Sequence, residues 1–258
     1  MSRIHEKALV DPAANIADDV EIGAFSIIGP NVTIGPGSQI GPHVVVTGRT
    51  TIGKSTRIFQ FASIGEEPQD KKYAGEDTEL IIGDNNTIRE LCTFSRGTIQ
   101  GGGKTIIGNN NWIMACVHIA HDCILGDNII MANNASLAGH VNVGDWAILS
   151  GYSLIHQFCD VGEHSFTSFA SHVNQSIPPY VTVSGEKARA KGVNTEGLKR
   201  RGYTAEQIQQ VRRAYKLLYR SGLPLKEARE KLEEMAAEHE EVRPWIEFLE
   251  NTQKSFIR

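Results

Sequence analysis

The 258-residue chain lacks the features that would place it in a membrane or in a disulfide-stabilised secreted class. It has no run of 18 or more apolar residues, so no segment predicts a membrane-spanning helix. Its four cysteines form no Cys-x-x-Cys pair, and its first residues do not resemble a signal peptide. We therefore expect a cytoplasmic protein with reduced thiols and no stable membrane insertion.

A strong charge of one sign is also missing, because the formal net charge is only -4. The chain shows no basic face of domain size, which argues against nucleic acid as a partner. The charge is nevertheless uneven: residues 1–184 carry a net -8, residues 185–203 a net +4, and residues 204–258 balance ten basic against ten acidic side chains. We call residues 185–203 the basic neck. Its compact charge predicts a small anionic ligand or an acidic partner.

Residues 1–184 contain an aliphatic residue at every sixth position. This period fits a short strand plus a turn, with one side chain per hexad pointing inward, and three hexads then form one coil of a parallel β-helix. We expect between eight and nine coils, with loops near 66–80 and 98–105. Glycine follows many inward residues, and we expect it at turns that need positive φ. The inward positions are Ile4, Val10, Ile16, Ile22, Ile28, Ile34, Ile40, Val46, Ile52, Ile58 and Ile64, then Ile82, Ile88 and Phe94, then Ile107, Ile113, Ile119, Leu125, Met131, Leu137, Val143, Leu149, Ile155, Val161 and, after a lapse at Thr167, Val173.

Residues 204–258 predict a small α-helical C-terminal domain. The segment begins with a capping-box pattern from Thr204 to Gln207, and apolar residues follow at helical spacing until Ser221-Gly222. A second helix is predicted after Pro224, and a third around Trp245. These apolar stripes indicate packing surfaces rather than a cofactor site.

Histidine is the informative residue type: His118 and His121 lie on either side of the inward Ile119, and stacking would bring His121, His140 and His156 to one wall. Two chemistries could use them. Three histidines can hold Zn²⁺ with an open position for water, as in the gamma-class carbonic anhydrases. Alternatively, one histidine can act as general base, and Asp122 beside His121 suits this role because a carboxylate can orient the ring. Adjacency in sequence does not show whether the two side chains touch.

Several motifs resemble those of the UDP-N-acetylglucosamine O-acyltransferases, and the resemblance covers essentially the whole chain. The His-Ile-Ala-His-Asp-Cys and Glu-Gly-Leu-Lys-Arg-Arg-Gly motifs are the most specific, since the hexapeptide repeat is shared by many acyltransferases. The motifs are Ala115–Cys123, Asn133-Asn134, Leu137–His140, His156–Phe158, Gly192–Gly202, Gln69–Glu76 and Tyr215–Gly222.

This resemblance implies a left-handed β-helix and the first committed step of lipid A biosynthesis. A 3-hydroxyacyl chain would pass from acyl carrier protein directly to the 3-hydroxyl of UDP-N-acetylglucosamine, without metal or cofactor and without an acyl-enzyme on Cys123. The implied catalytic residues are His121 as general base, Asp122 as its orienting carboxylate and the backbone N–H of Gly139 as oxyanion donor. The implied substrate-contacting residues are Asp70, Lys72, His118, His140, His156 and Gln157, with Asn194, Glu196, Arg200 and Arg201 at the UDP moiety and the mouth of the site.

Two positions depart from the family pattern. Ser95 stands where the family motif Thr-x-His-Arg-Gly-Thr has histidine, so one contact near the cleft is altered. Phe169 stands where members that accept longer acyl chains have glycine. We therefore expect Phe169 to select a shorter acyl chain.

The resemblance also implies a homotrimer with its active sites at subunit interfaces. Acidic acyl carrier protein would dock against basic residues near the cleft, and the candidates are Arg200, Arg201, Arg212, Arg213, Lys216 and Arg220. Three alternatives are a zinc enzyme of the carbonic anhydrase type, a non-catalytic structural β-helix, and the related N-acyltransferase of the same pathway. The last has an additional N-terminal domain, whereas the repeats here begin at Ile4.

Overall fold

The computed structural model describes residues 3–258, and its architecture is a stack of short strands followed by helices. The strands are β1 (Arg3–Ile4), β2 (Leu9–Val10), β3 (Asn15–Ile16), β4 (Glu21–Ile22), β5 (Ile27–Ile28), β6 (Val32–Ile34), β7 (Gln39–Ile40), β8 (Val45–Val46), β9 (Arg49–Ile52), β10 (Arg57–Ile58), β11 (Ser63–Glu66), β12 (Glu79–Ile82), β13 (Thr87–Ile88), β14 (Thr93–Ser95), β15 (Lys104–Ile107), β16 (Trp112–Ile113), β17 (His118–Ile119), β18 (Ile124–Leu125), β19 (Ile130–Met131), β20 (Ser136–Leu137), β21 (Asn142–Val143), β22 (Ile148–Leu149), β23 (Leu154–Ile155), β24 (Asp160–Val161), β25 (Phe166–Thr167), β26 (His172–Val173), β27 (Val181–Ser184) and β28 (Arg189–Val193). The helices are α1 (Thr195–Arg200), α2 (Ala205–Arg220), α3 (Leu225–Glu238) and α4 (Arg243–Asn251), with short 3-10 helices at Ile99–Gly101 and Glu240–Val242.

Every third strand joins the same sheet, which is the arrangement of a parallel β-helix. Sheet A contains 11 strands in the order β1-β4-β7-β10-β13-β16-β19-β22-β25-β27-β28, sheet B contains 9 (β2 to β26), and sheet C contains 8 (β3 to β24). Partners in uninterrupted coils are 18 residues apart, as in the pairing of Ile4 with Ile22, so three hexads make one coil. The predicted fold class is confirmed.

The inward residues form one continuous apolar column, since those from Ile22 onward are almost fully buried. Ile4 is 39% exposed, because among residues 3–258 its strand β1 has a neighbour on one side only, β4. Thr167, where the aliphatic pattern lapses, still points inward and is fully buried. Its hydroxyl lies 2.6 Å from that of Ser153, so a paired polar group replaces an aliphatic one there.

Of the glycines that follow inward residues, Gly65 has the expected positive φ of 79°, but Gly23 and Gly35 do not. Most positive-φ turn positions carry other residues, for example Asp122 at φ 61° and His140 at φ 60°. Gly23 and Gly35 are needed for close approach instead, because a Cβ on Gly23 would lie 2.6 Å from the Pro42 nitrogen of the next coil. The expectation of positive φ was wrong for these two positions.

The coils turn at three corners, named for the sheets they join. The B–C corner includes the segments 121–122, 139–140 and 157–158, and the C–A corner includes 127–128, 145–146 and 163–164. Two longer excursions leave the stack at the B–C corner, residues 67–78 and 96–103. We call them loop 1 and loop 2; they overlap the segments 66–80 and 98–105, where the sequence interrupts the repeat.

The C-terminal region closes the stack at its far end. Strand β27 pairs in parallel with β25 and antiparallel with β28, and α1–α4 follow. The capping box at Thr204 is present, and the buried Trp245 of α4 lies beside Tyr180. Helix α1 was not expected within the basic neck. The division of the chain at residues 184 and 203 stays a prediction. Across residues 3–258, none of the helices has the length and apolar character needed to cross a bilayer.

Candidate active site

A cleft of about 650 Å³ lies at the B–C corner, where loop 1 and loop 2 meet the coils. Both loops leave the stack at the same corner, so their polar residues face the histidines of the coils above them. The lining residues are Gln69, Asp70, Lys72, Ser95, Thr98, Gln100, His118, Ala120, His121, Ala138, Gly139, His140, Gln157 and Phe158.

His121 and Asp122 are joined by a short hydrogen bond inside this cleft. His121 Nδ1 lies 2.7 Å from Asp122 Oδ2, and the Asp122 side chain is completely buried. Because a carboxylate only accepts, Nδ1 donates, and the Nε2 of the neutral ring keeps a lone pair for a proton. The side chains of His121 and Asp122 therefore touch in the structure, which their adjacency in sequence alone did not show.

Thr98 completes the environment of the Asp122 carboxylate. Its backbone N–H donates to Oδ1 at 2.7 Å, and its hydroxyl donates to Oδ2 at 2.6 Å. Burial raises the pKa of the Asp122 carboxyl, but the hydrogen bonds from His121 and Thr98 outweigh burial and hold that pKa below its ordinary value. Asp122 is therefore an anion at neutral pH.

Two glycines allow the chain to close around this pair. A Cβ on Gly101 of loop 2 would collide with the Asp122 carboxylate, so loop 2 can cover Asp122 only with glycine there. A Cβ on Gly139 would lie 2.6 Å from Cε1 of His121, so the imidazole rests directly against the Gly139 backbone. Among residues 3–258, the Gly139 N–H donates to no other group, which leaves it available beside the ring.

His118 and His140 flank the pair. His118 Nδ1 lies 2.8 Å from the Thr93 hydroxyl, and burial lowers the His118 pKa. The His140 ring stacks on Phe158 at 4.5 Å and meets the His121 ring edge-on at 5.1 Å. Burial also lowers the His140 pKa, although the nearby Asp122 charge opposes that shift. Both rings are therefore neutral hydrogen-bonding groups at neutral pH.

Loop 1 is fixed by an arginine that sequence reasoning did not single out. Arg96 is buried, and its guanidinium donates to the Gly65 carbonyl at 2.6 Å and to the Tyr73 hydroxyl at 3.0 Å. Within the loop, the Lys72 N–H donates to Asp70 Oδ1 at 3.0 Å. These contacts hold Asp70 and Lys72 at the cleft. The buried Ser95 also lines the cleft, at the position where the family pattern has histidine.

The three-histidine wall considered for zinc does not form as predicted. His156 lies one coil beyond Ala138, and its Nδ1 contacts Lys254 of the C-terminal segment at 2.9 Å. The compact group is His121, Asp122 and His140 instead, whose potential ligand atoms lie within 4.8 Å of one another. Asp122 Oδ2 in that group already accepts hydrogen bonds from His121 and Thr98. Cys123 is buried, and burial raises its thiol pKa to about 12, so it is not a nucleophile at neutral pH.

The remaining predicted residues surround a second pocket of about 570 Å³ at the C–A corner. Asn194 caps α1 by accepting from the Gly197 N–H at 3.1 Å. Arg201 donates to the Trp146 carbonyl at 2.7 Å, and its guanidinium lies 5.2 Å from the centre of the Trp146 indole. Glu196 and Arg200 line the same pocket. A single chain does not bring this pocket and the B–C cleft together, because they occupy different corners of the stack.

Phe169 lies apart from both pockets, at the A–B corner. It is 69% exposed and meets Tyr152 edge-on at 5.6 Å. Tyr152 is itself 52% exposed, so the two rings form an exposed aromatic pair.

Sequence reasoning missed Thr98, Arg96 and Lys254. Thr98 and Arg96 belong to the segment Thr93–Thr98 that was compared with the family pattern, so their place in that pattern was an available signal. Nothing in the sequence connects Lys254 with His156, which lies 98 residues earlier.

Family models match both parts of the chain. A model described as UDP N-acetylglucosamine O-acyltransferase, domain 2, matches residues 177–257. A model described as bacterial transferase hexapeptide (six repeats) matches residues 1–36 and 104–139.

Full-length relatives and solved structures are similar as well. The acyl-[acyl-carrier-protein]–UDP-N-acetylglucosamine O-acyltransferases of Thiobacillus denitrificans and Herminiimonas arsenicoxydans are 60% and 56% identical to this chain, each with all of both chains covered. The crystal structure of Francisella novicida UDP-N-acetylglucosamine acyltransferase superposes with a TM-score of 0.97 at 44% identity, covering 99% of this chain and 94% of that one. The Campylobacter jejuni UDP-N-acetylglucosamine acyltransferase has a TM-score of 0.92 at 38% identity, with 98% of each chain covered.

Proposed function

Because the chain belongs to the UDP-N-acetylglucosamine O-acyltransferase family, we propose that it transfers a 3-hydroxyacyl chain from acyl carrier protein to the 3-hydroxyl of UDP-N-acetylglucosamine. This transfer is the first step of lipid A biosynthesis. The observation that carries the proposal is the pair of His121 and Asp122, joined at 2.7 Å and facing a cleft. The comparisons give no support to the zinc-enzyme and structural alternatives.

In the proposed mechanism, His121 is the general base. Its Nε2 removes the proton of the sugar 3-hydroxyl while the hydroxyl oxygen attacks the thioester carbonyl. The carbon–sulfur bond then breaks, and the imidazolium returns the proton to the departing thiolate. Asp122 stays ionised throughout and stabilises the imidazolium, since hydrogen bonds hold its pKa low.

Gly139 has two roles in this mechanism. Its missing side chain gives the His121 ring room to lie close to the backbone. Its N–H, which makes no hydrogen bond within residues 3–258, would donate to the oxyanion of the tetrahedral intermediate. One such donor typically contributes ~2.7–4 kcal/mol to transition-state stabilisation.

The substrate would lie between two pockets that carry different chemistry. Asp70, Lys72, His118, His140 and Gln157 offer polar contacts to the sugar and the acyl donor at the B–C cleft, with His156 one coil further along. At the C–A corner, Arg200 and Arg201 would bind the diphosphate through charge-assisted hydrogen bonds, beside Asn194 and Glu196.

A homotrimer would unite the two pockets. A neighbouring subunit related by threefold rotation could present its C–A pocket to the B–C cleft of the first. One nucleotide sugar would then contact residues of two chains. Exposed Phe169 at the third corner is consistent with a surface that another subunit covers.

Acyl carrier protein would dock on the basic side of α2. A groove on this side is lined by basic and apolar side chains, among them Arg212, Arg213, Lys216, Arg220, Leu217 and Met235. Arg200 and Arg201 extend the positive charge towards the C–A pocket. An acidic partner would be guided to such a surface electrostatically. We place the reaction in the cytoplasm, where the four free cysteines would stay reduced.

Phe169 would shorten the acyl chain that the enzyme accepts. Its large exposed ring would close the end of a groove between subunits. The Phe169→Gly variant should gain activity with longer 3-hydroxyacyl donors, as measured by a chain-length series of acyl carrier proteins. An unchanged chain-length preference would contradict this role.

The test of the function is an assay with radiolabelled UDP-N-acetylglucosamine and 3-hydroxyacyl carrier proteins of different lengths. Wild-type protein should form the 3-O-acyl product, and His121→Ala should lose a factor of ~10²–10⁴. Metal analysis of the active protein serves as the control for the zinc alternative. Stoichiometric zinc, or full activity in His121→Ala, would contradict the proposal.

A further inference from the structure

The last residues of the chain return from the helices to the coil stack. We call residues 252–258 the C-terminal strap. The Thr252 hydroxyl donates to Asp160 Oδ2 at 2.7 Å, and the Ile257 N–H donates to the Ser176 carbonyl at 2.9 Å. Ile257 is buried, and its carbonyl accepts from the Tyr219 hydroxyl of α2 at 2.6 Å. The strap is therefore anchored to the coils and to the helices on both sides of Lys254.

Lys254 reaches from the strap into the coil that carries His156 and Gln157. Its Nζ lies 2.9 Å from His156 Nδ1 and 2.9 Å from the Gln157 carbonyl. An ammonium group has three donors and no acceptor, so the contact is possible only if His156 Nδ1 accepts. The same Nδ1 also lies 3.1 Å from the Gln157 carbonyl oxygen, and a hydrogen bond there would need the proton on Nδ1. When Lys254 donates to both of these atoms, a neutral His156 carries its proton on Nε2.

The contacts of Lys254 lie next to the cleft. Gln157 lies one coil beyond Gly139 and two coils beyond His121, and it lines the cleft. The following residue, Phe158, stacks on His140, which in turn contacts the His121 ring. The Lys254 hydrogen bonds to His156 and Gln157 therefore fix a coil that forms the same wall of the cleft as the proposed catalytic pair, His121 and Asp122.

We propose that Lys254 is a positioning residue that fixes His156 as the Nε2–H tautomer and so presents a hydrogen-bond donor to the substrate. The proposal rests on the proposed function, because it assigns a use to the His156 contact with the acyl donor. Lys254 itself does not touch the reacting atoms. It acts through His156 and through the Gln157 backbone.

Three variants of the full-length protein test this role. Lys254→Met keeps the length of the side chain but removes every donor, whereas Lys254→Arg keeps donors and positive charge. Lys231→Met is the matched control, because the Lys231 side chain is exposed on α3 and does not contact the strap. Long-range ¹H–¹⁵N spectra of histidine-labelled protein report which nitrogen of His156 carries the proton, whether or not the protein is active.

We expect the Nε2–H tautomer of His156 in wild type, Lys254→Arg and Lys231→Met, and a mixture of tautomers in Lys254→Met. The KM for the acyl donor should rise roughly tenfold in Lys254→Met, with a much smaller change in kcat, and Lys254→Arg should restore most of it. Unchanged spectra and KM in Lys254→Met, with wild type active, would overturn the inference. An inactive wild type would instead contradict the proposed function, and the tautomer measurement would still decide whether Lys254 fixes His156.

Discussion

Two corners of the same coil stack use aspartate in related ways, yet only one of them forms a candidate active site. At the C–A corner, Asp127 Oδ1 accepts the Asn109 N–H at 2.6 Å, and Asp145 Oδ1 accepts the Asp127 N–H at 2.8 Å. Each carboxylate thereby satisfies a backbone donor on the preceding coil. This ladder of side chain to backbone contacts fastens one coil to the next.

At the B–C corner, one carboxylate oxygen of Asp122 accepts a backbone N–H as in the ladder, whereas the second oxygen accepts from side chains. Its Oδ1 accepts the Thr98 N–H from the preceding coil, as in the ladder. Its Oδ2 accepts from His121 and from the Thr98 hydroxyl. The comparison shows that the proposed catalytic arrangement is the structural ladder plus a histidine on one side and loop 2 on the other.

Apart from changes to the His121–Asp122 pair itself, the largest expected effect comes from filling the space against which His121 rests. Gly139→Ala would place a methyl group 2.6 Å from Cε1 of the ring, so the imidazole must move. A displacement of about 1 Å can cost ~10²-fold in rate, and we expect a loss of that order in acyl transfer. The control is Gly29→Ala, whose added Cβ would make ordinary contacts at 3.4 Å or more. Equal activity in the two variants would show that the His121 position is not critical.

His164 at the C–A corner should affect stability rather than catalysis. It is 7% exposed, stacks on Tyr180 at 5.5 Å, and has its pKa lowered to about 4 by burial and by the Arg201 charge. Between pH 6.5 and 4 the unfolded chain therefore binds a proton that the folded chain does not, and stability falls as the pH falls. This one group should cost about 2 kcal/mol on going from pH 7 to pH 5.

Urea denaturation of wild type and His164→Phe at both pH values measures that contribution. The phenylalanine keeps an aromatic ring in the stack but cannot titrate. The free energy of unfolding of the variant should therefore fall less than that of wild type by this amount. Identical pH dependence in the two proteins would show that His164 is not held neutral by its surroundings.

A smaller effect is expected from a substitution at Thr98 that removes one of its two hydrogen bonds to Asp122 and keeps the other. Thr98→Val removes the hydroxyl that donates to Oδ2 but keeps the backbone N–H that donates to Oδ1. We expect kcat for acyl transfer to fall roughly tenfold, because a hydrogen bond to a charged group is lost. Melting temperature measured in parallel should change little. Loss of folding together with loss of activity would assign Thr98 to the structural ladder instead.

The fold could be predicted from sequence because the β-helix repeats a local rule. One aliphatic residue per hexad must face inward, and 11 consecutive positions from Ile4 obey that rule. Even the lapse at Thr167 keeps its inward direction, since its hydroxyl finds a partner in Ser153. The glycines were harder to interpret. Their role at Gly23 and Gly35 depends on the distance to the next coil rather than on their own φ.

The candidate site could be predicted only in part. The stacking rule placed His121 and His140 close together, and their rings are 5.1 Å apart. The same rule failed for His156, because its partner is Lys254 on a segment that no period connects to the coils. Thr98 was missed for a similar reason. Loop 2 interrupts the repeat, so its contact with Asp122 could not be read from an 18-residue spacing.

The most direct test of this account is one matched substitution at both corners, Asp122→Asn and Asp127→Asn. In each variant, the amide oxygen can still accept the backbone N–H of the preceding coil, so both should fold with similar melting temperatures. At residue 122, however, the amide nitrogen cannot accept from His121 Nδ1. We predict that acyl transfer falls by ~10²–10⁴ in Asp122→Asn and by less than about twofold in Asp127→Asn. Equal rates in the two variants would contradict the assignment of catalysis to the B–C corner.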